Sequence, residues 1–175
     1  LAPMAETQNV MDKLSPLAFN EDGLYLASES AVNTYTDIRM TSDHPALLGA
    51  LGMMPDNKLL DKTVMAKTLR WIWDNWNWNW DKTWGWDYPM TAMTCARLGE
   101  AEMAVDALLM PKRTNTYLIN GHNYQDQRLR LYMPGNGGLL TAVAMMCAGW
   151  DGCDSTNPGF PKDWDVKWEG LLPMP

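Results

Sequence analysis

The residues best suited to chemistry lie in an aromatic segment that ends at Asp87. Seven of the ten tryptophans of the chain fall within the sixteen residues from Trp71 to Trp86. An indole has a flat apolar face with a polar N–H at its edge, and the asparagines and the carboxylate among these rings add hydrogen-bond partners. A pyranose ring needs both kinds of surface. The segment therefore predicts a carbohydrate site, with Trp84 and Trp86 as candidate sugar contacts.

The first part of this segment is expected to fill a helix–helix core. Three tryptophans continue the apolar stripe of a helix, namely Trp71, Trp73 and Trp76. From there tryptophan alternates with asparagine at period two as far as Trp80. A core-facing helix would not tolerate this alternation, so we predict that the helix ends in this stretch. Trp84 and Trp86 follow in a loop with Gly85, where packing and ligand contact are equally open.

Two carboxylates are candidates for acid–base chemistry. Inverting hydrolysis of a glycosidic bond needs a protonated carboxyl group and, about 6.5–9.5 Å away, a solvated carboxylate that activates water. Asp87 is the candidate base because it follows Trp86 on a loop, although it could instead cap the helix ahead of Pro89. Glu29, on a long polar loop, is the candidate acid, with a solvated surface role as the alternative. Asp43 is expected to cap a helix, with a catalytic role as the alternative.

Several polar residues are candidates for recognising sugar hydroxyls. His44 either hydrogen-bonds a neighbouring loop or contacts the sugar. His122, Asn123 and Tyr124 lie on the arm of a predicted hairpin that can reach into a cleft. Asn136 stands between glycines ahead of a helix, where backbone N–H groups are exposed, and serves either a backbone turn or a substrate hydrogen bond.

Composition limits the class of protein and its partners. The chain has 175 residues, 46% of them hydrophobic and 20% charged, which excludes a disordered chain and predicts one soluble globular domain. The net charge of −7 argues against a nucleic-acid partner, which lysine and arginine would have to bind. The longest nearly uncharged apolar run, residues 137–150, is too short to span a membrane. With two distant histidines and no CxxC spacing, we expect neither a metal site nor a cofactor.

The first part of the chain predicts two helices on either side of a long loop. Apolar spacing and an early proline indicate a helix over residues 2–14. Residues 15–41 are polar and rich in turn formers, and they predict a loop with a short strand at residues 24–26. Loops of this length in compact domains are commonly functional. A second helix is expected over residues 44–55.

The middle of the chain predicts three more helices. One opens at Asp56 or Asn57 and buries a single face, formed by Met65, Leu69, Ile72 and Trp76. Residues 89–98 and 100–110 form the next two, and Gly99 between them predicts an αα-hairpin.

The last part of the chain combines a hairpin, a helix and a tail. Asn120-Gly121 between alternating residues predicts a tight β-hairpin. Residues 137–149 form a helix that is apolar on every side, which predicts an inner helix buried on all sides. We therefore divide the chain into a helical-hairpin catalytic domain or half-domain at residues 1–150 and an irregular strap at residues 151–175.

Three segments resemble the six-hairpin (α/α)6-barrel glycosidases and phosphorylases. Residues 44–55 look like the helix of that superfamily that ends in a Met-Pro turn, and residues 83–104 look like its segment with an Ala-Arg-Leu-Gly helix junction. Residues 131–146 are similar to its Gly-rich loop and last inner helix. The segments occur in family order. The resemblance implies an all-α toroid of helical hairpins, here with a small β-hairpin insertion, and no cofactor.

The resemblance is closest to the maltose or trehalose phosphorylase type and the α-L-fucosidase type. The phosphorylases bind phosphate with a Ser-rich loop where this chain has Trp84 to Asp87, and a carboxylate there repels an anion. Hydrolysis is therefore favoured over phosphorolysis. The fucosidase type has an aspartate where this chain has Pro134, so that family's base is missing from its usual place.

Length adds an expectation about partners. A twelve-helix toroid needs roughly 200 residues before any long loop is added, so we expect the C-terminal half of a barrel. Such a half should expose an apolar edge that the N-terminal half or a second copy covers. The predicted activity is a glycoside hydrolase acting on an oligo- or polysaccharide. A non-catalytic sugar-binding fragment and a phosphorylase are the alternatives.

Overall fold

The computed structural model describes residues 5–75 and 79–175. Its helices, in chain order, are α1 Ala5–Met11, α2 Ile38–Thr41, α3 Gly49–Gly52, α4 Lys62–Asp74, α5 Asp87–Arg97, α6 Ala101–Leu109 and α7 Met133–Ala148. Two short strands, β1 Thr116–Tyr117 and β2 Asn123–Tyr124, pair antiparallel. The prediction of a helical fold with a small β-hairpin is confirmed. Among the described helices, none is long and apolar enough to cross a bilayer.

Helix α4 carries the predicted apolar face but begins later than expected. Asp61 caps it by accepting the backbone N–H groups of Thr63 and Val64, so the helix starts about one turn after Asn57. The side chains of Met65, Leu69 and Ile72 are buried, as the four-three spacing predicts. The helix ends at Asp74, two residues before the stretch from Trp76 to Trp80 in which its end was predicted. Trp76 and Trp78, for which predictions were made above, lie outside the described residues.

The predicted αα-hairpin is present. Pro89 lies in the first turn of α5, and α6 follows after a connection of three residues. Gly99 has a φ of 79°, a left-handed conformation that closes a helix at little cost in glycine. The backbone N–H of Glu100 reaches back to the carbonyl of Cys95 and completes the turn.

The helix buried on every side is α5, not α7. Every residue of α5 is buried, and the helix packs against α3, α6 and α7. Helix α5 can bury its threonines because their hydroxyls donate to backbone carbonyls. Thr91 donates to the carbonyl of Asp87, and Thr94 donates to those of Met90 and Leu48. Small residues on α5 let the neighbouring helices approach.

The prediction that residues 137–149 would be buried on all sides is wrong. Along α7 the side chains of Ala142, Met145 and Met146 are buried, but Leu140 is 73% exposed and Val143 is 36% exposed. Because α7 is apolar on every side, any of its faces could enter a core, but only one face of the helix has a neighbour among the described residues. This exposed apolar face is the kind of edge expected of a partial barrel.

The β-hairpin is confirmed, with a different turn. The backbone N–H of Leu118 donates to the carbonyl of His122, and that of Gly121 donates to the carbonyl of Leu118. Three residues therefore connect the arms, and only Gly121 among them has a positive φ. A three-residue connection ending in a left-handed glycine replaces the two-residue Asn-Gly turn.

The predicted loop of residues 15–41 ends earlier, since residues 38–41 form α2, and its remaining part packs onto α4. In place of the predicted strand, Tyr25 forms a single bridge with Phe19. Its backbone N–H donates to Thr68 Oγ1, and its hydroxyl accepts the backbone N–H of Asp61 at 2.6 Å. Tyr25 is buried and anchors the loop to the start of α4.

The C-terminal tail lies along the ends of α5 and α7. Trp150 pairs with Met174 in a parallel bridge. The backbone N–H of Gly159 donates to the carbonyl of Met146, and Phe160 packs against the main core. These contacts are those of a strap laid over helices.

Candidate functional site

The centre of the candidate site is a hydrogen-bonded pair, His44 and Asp87. Asp87 is the first residue of α5, and its side chain has no exposed surface. Its Oδ1 lies 2.9 Å from His44 Nδ1, and its Oδ2 accepts the backbone N–H of Trp84 at 2.7 Å. The backbone N–H of Asp87 in turn donates to the Trp84 carbonyl. The turn that leads into α5 thus fixes the carboxylate, and the carboxylate fixes the imidazole.

Nδ1 of His44 has two neighbours that cannot both bond to it. The indole N–H of Trp86 also points at this nitrogen, at 2.9 Å. Nδ1 holds either one hydrogen or one lone pair, so it either donates to Asp87 or accepts from Trp86. A lone pair facing an ionised carboxylate would be repelled. We therefore place the hydrogen on Nδ1, where it donates to Asp87.

The pair shifts the pKa of both groups. The hydrogen bond with Asp87 raises the pKa of His44 above its ordinary value, and desolvation of the ring opposes this only in part. Burial raises the pKa of Asp87, while the hydrogen bonds from His44 and Trp84 lower it. Asp43 adds a second carboxylate, whose Oδ1 lies 3.6 Å from His44 Nε2. The two flanking carboxylates therefore favour a protonated His44.

Aromatic rings surround this histidine. The ring centroid of Trp86 lies 5.1 Å from that of His44 in an edge-on arrangement, and that of Trp84 lies 5.8 Å away. Tyr132, just ahead of α7, continues the cluster at 5.5 Å from Trp84. Trp84 and Trp86 are half-buried, so each keeps part of its ring open to solvent. Their contact with sugar stays a prediction.

A cavity of about 580 Å³ opens beside His44. Its wall contains Glu29, Asp43 and His44, together with apolar groups from residues 15–50. The cavity thus lies between the long loop and the helical segment that begins at Ala46 and leads into α3. Trp84 and Trp86 contact His44 rather than form part of this wall.

The role predicted for Asp87 needs correction. A base that activates water must be reached by water, and the Asp87 side chain is sealed in the core. It is not an N-cap either, because Trp86 holds that position and α5 begins at Asp87 itself. The sequence placed this residue on a solvated loop, whereas burial of α5 on every side draws its first residue inward. Asp87 therefore contacts His44 rather than solvent.

The two exposed carboxylates of the site are Glu29 and Asp43. Glu29 lies on the exposed part of the long loop, so the burial expected of a general acid is absent. Asp43 does not cap a helix, since the helical segment begins only at Ala46. It instead accepts the backbone N–H of His44 at 2.8 Å, and its side chain is 64% exposed.

The hairpin candidates lie elsewhere, and Asn123 has a structural role. Its side chain has no exposed surface, and Nδ2 donates to the carbonyls of Thr114 and Thr116. Its Oδ1 fills the space where a Cβ on Gly85 or Gly135 would lie, at 1.9 and 2.2 Å. A residue enclosed in this way cannot contact a sugar, so that prediction is wrong.

The side chain of Asn136 also bonds to the backbone of the hairpin. Its Oδ1 accepts the backbone N–H of Asn123, and its Nδ2 donates to the carbonyl of Gly121. Of the two roles left open by the sequence, the structure gives it the backbone one. His122 and Tyr124 are half-buried on the arm of the hairpin, and they line no part of the cavity beside His44.

Sequence reasoning missed the groups that hold the Trp84–Trp86 loop in place. The Gln125 side chain accepts the backbone N–H of Gly85 at 3.0 Å and donates to the carbonyl of Thr83. The hydroxyl of Tyr88 lies 2.6 Å from that of Thr114 and bonds to the carbonyl of Trp80. Apart from Trp80, which is eight residues from Tyr88, these partners are 26 to 42 residues apart in sequence, so no local pattern could reveal them.

Comparison of the chain with protein-family models, with curated proteins and with solved structures found no match. The resemblance to six-hairpin glycosidases therefore stays a prediction. Among residues 5–75 and 79–175, no group of three or more His, Cys, Asp or Glu side chains is placed to hold a metal ion.

Proposed function

We propose that this protein is a carbohydrate-active enzyme that hydrolyses a glycosidic bond in the cavity beside His44. The observation that carries the proposal is the convergence of Glu29, Asp43 and His44 on one cavity wall, with His44 held by the buried Asp87. The indoles of Trp84 and Trp86 next to this histidine add the apolar faces on which a pyranose ring can stack.

In this proposal Glu29 and Asp43 supply the two carboxyl groups that glycoside hydrolysis needs. One donates a proton to the leaving oxygen, and the other takes a proton from the attacking water. Nε2 of His44 lies 3.6 Å from Oδ1 of Asp43, so a protonated imidazole can exchange a proton with this carboxylate. Asp87 is a positioning residue that sets the orientation and the pKa of His44.

The resemblance supports an (α/α)6-type arrangement for a larger assembly. The buried helix α5 would be an inner helix, and the exposed apolar face of α7 would meet either the rest of the barrel or a second copy. Sedimentation of the 175-residue chain tests this part of the proposal: a monomer with no tendency to associate would count against it.

The catalytic proposal is tested with Glu29→Gln and Asp43→Asn. Each should lower the turnover of aryl glycosides by about 10²–10⁴-fold, which is the usual contribution of one acid or base, and leave the unfolding midpoint nearly unchanged. Glu169→Gln is the matched control, because Glu169 is an exposed glutamate on the tail. The control should keep wild-type turnover. Wild-type turnover in Glu29→Gln and Asp43→Asn as well would refute the assignment of the carboxylates.

A non-catalytic sugar-binding role is the second candidate. The observation in its favour is that Asp87 is buried and Glu29 is exposed, so neither has the surroundings expected of its predicted role. In that case wild-type protein binds saccharide without turnover, and Asp43→Asn changes nothing. A turnover that requires inorganic phosphate would instead indicate a phosphorylase.

A further inference from the structure

A groove on the C-terminal tail is lined by aromatic and polar groups that the proposed active site does not use. It has a volume of about 670 Å³ and lies between the tail and the turn that joins α5 to α6. Its wall includes Trp164, Phe160, Glu102, Lys162 and Asp163. It shares no residue with the cavity beside His44.

The aromatic part of the groove is a stacked pair with one open ring. The rings of Phe160 and Trp164 lie 5.9 Å apart with an interplanar angle of 29°. Phe160 packs against the main core on its other side, whereas Trp164 is 50% exposed. Trp164 therefore presents a large apolar ring surface to solvent while it is supported from below. Exposed apolar surface that is held in place in this way commonly marks a binding site.

The segment that carries Trp164 is held in one shape although it has no regular secondary structure. Two consecutive turns build it, with the Phe160 N–H donating to the Asn157 carbonyl and the Trp164 N–H donating to the Pro161 carbonyl. The Asn157 side chain accepts the indole N–H of Trp168 and donates to the carbonyl of Val166. A preorganised surface binds a ligand without first losing conformational entropy.

Gly159 lets the tail segment that carries Trp164 pack directly against α7. A Cβ at this position would lie 2.2 Å from Cγ of Met146 and 2.7 Å from its Cα, so only glycine allows the backbones to come this close. Its N–H bonds to the Met146 carbonyl. The groove is thus tied to the helical core through both Gly159 and Phe160.

We propose that this groove is a second saccharide-binding site, in which a sugar ring stacks on Trp164. The carboxylates of Glu102 and Asp163 and the amine of Lys162 are exposed around the ring, and they provide acceptors and a donor for hydroxyl groups. A proline-rich peptide could also stack on tryptophan, but it offers few groups for three charged side chains to bind. The mixed lining favours a saccharide.

The test is affinity electrophoresis of the full chain in gels that contain soluble starch, hydroxyethylcellulose or xylan, followed by calorimetry with the polysaccharide that retards it most. Trp164→Ala should weaken binding by about tenfold or more, which corresponds to about 1.4 kcal/mol. Trp164→Tyr should restore most of it because a ring is again present. Phe19→Ala is the control, since Phe19 is another exposed aromatic residue, at 58%, and does not line the groove.

The readout is binding, so it separates this site from the proposed active site. The double variant Glu29→Gln, Asp43→Asn should lose turnover and keep the Trp164-dependent retardation. No retardation in any of the three gels would overturn the proposal, and so would equal losses in Trp164→Ala and Phe19→Ala. Binding of a poly-L-proline peptide that depends on Trp164, without binding of any polysaccharide, would make the groove a peptide site and would also overturn it.

Discussion

The pairing of Asp87 with His44 predicts that Asp87→Asn destabilises the protein at acidic pH far more than at alkaline pH. The substitution keeps the shape of the side chain. One oxygen can still accept the Trp84 N–H, while the new amide donates to Nδ1 of a neutral imidazole. What is lost is the negative charge opposite a protonated His44.

The magnitude follows from the two hydrogen bonds of the carboxylate. A bond to a charged group contributes about 1.5–3 kcal/mol and a neutral one about 0.5–1.5 kcal/mol. Each of the bonds to His44 and Trp84 therefore weakens by about 1 kcal/mol, and the free energy of unfolding should fall by about 2 kcal/mol at acidic pH. At alkaline pH only the loss at Trp84 remains, and removal of a buried charge partly offsets it, so the decrease there should be less than about 1 kcal/mol. Asp43→Asn is the matched control. Its carboxylate is mostly exposed at 3.6 Å from the same ring, and such pairs contribute about 0–1 kcal/mol.

The sign of the pH dependence is the sharper part of this prediction. The folded-state pKa of His44 is raised, so its contribution is fully present below the unfolded pKa of about 6.5 and is lost as the pH rises through the folded value. The pKa of Asp87 is also raised, by burial, so its ionisation costs stability as the pH rises. Both effects disappear in Asp87→Asn. The difference between wild type and variant should therefore shrink at high pH.

Urea unfolding at a pH of about 5.5 and again at about 9 measures the two differences on either side of the histidine titration. Titration of the His44 ring protons by NMR, with His122→Asn used to assign the signals, should show a pKa that falls in Asp87→Asn. An equal loss of stability at both pH values would refute the ion pair, as would a His44 pKa that does not respond to the substitution.

Two further predictions concern packing. Gly137 and Gly138 are neighbours in α7, yet a Cβ at Gly137 meets nothing within 4 Å and one at Gly138 lies 2.8 Å from the Pro89 ring. In urea unfolding, Gly137→Ala should therefore stabilise the fold by about 0.5–1 kcal/mol and Gly138→Ala should destabilise it by about 1–3 kcal/mol. Equal effects of the two substitutions would contradict the close packing of α7 on α5. Asn123→Ala removes two donors from buried carbonyls and should cost about 2–3 kcal/mol in thermal or urea unfolding, whereas an unchanged midpoint would contradict the structural role of Asn123.

Helices with a one-sided pattern were predictable from the sequence. The four-three spacing of Met65, Leu69 and Ile72 placed the buried face of α4, and Gly99 placed the break between α5 and α6. These features depend on residues within a few positions of each other. Local periodicity and backbone preference are enough to specify them.

Burial was predictable only where one face was clearly polar. The sequence of α7 is apolar all round and says nothing about which face has a neighbour, and α5, which is buried on every side, contains threonines and an aspartate. The hydroxyls of α5 bond within the helix and to the carbonyl of Leu48, just ahead of α3, so polarity did not predict exposure. For the same reason Asp87 looked solvated in the sequence and is enclosed in the structure.

The sequence alone determined that tryptophans, amides and carboxylates were concentrated near Asp87 and that helical hairpins would carry them. Only the tertiary structure decided that His44, 43 residues away, would be the partner of that carboxylate, and that Asn123 would be enclosed between two glycines. The physical reason is that a local pattern fixes which face of a helix can be buried. Which distant group meets that face depends on how all the elements share one core.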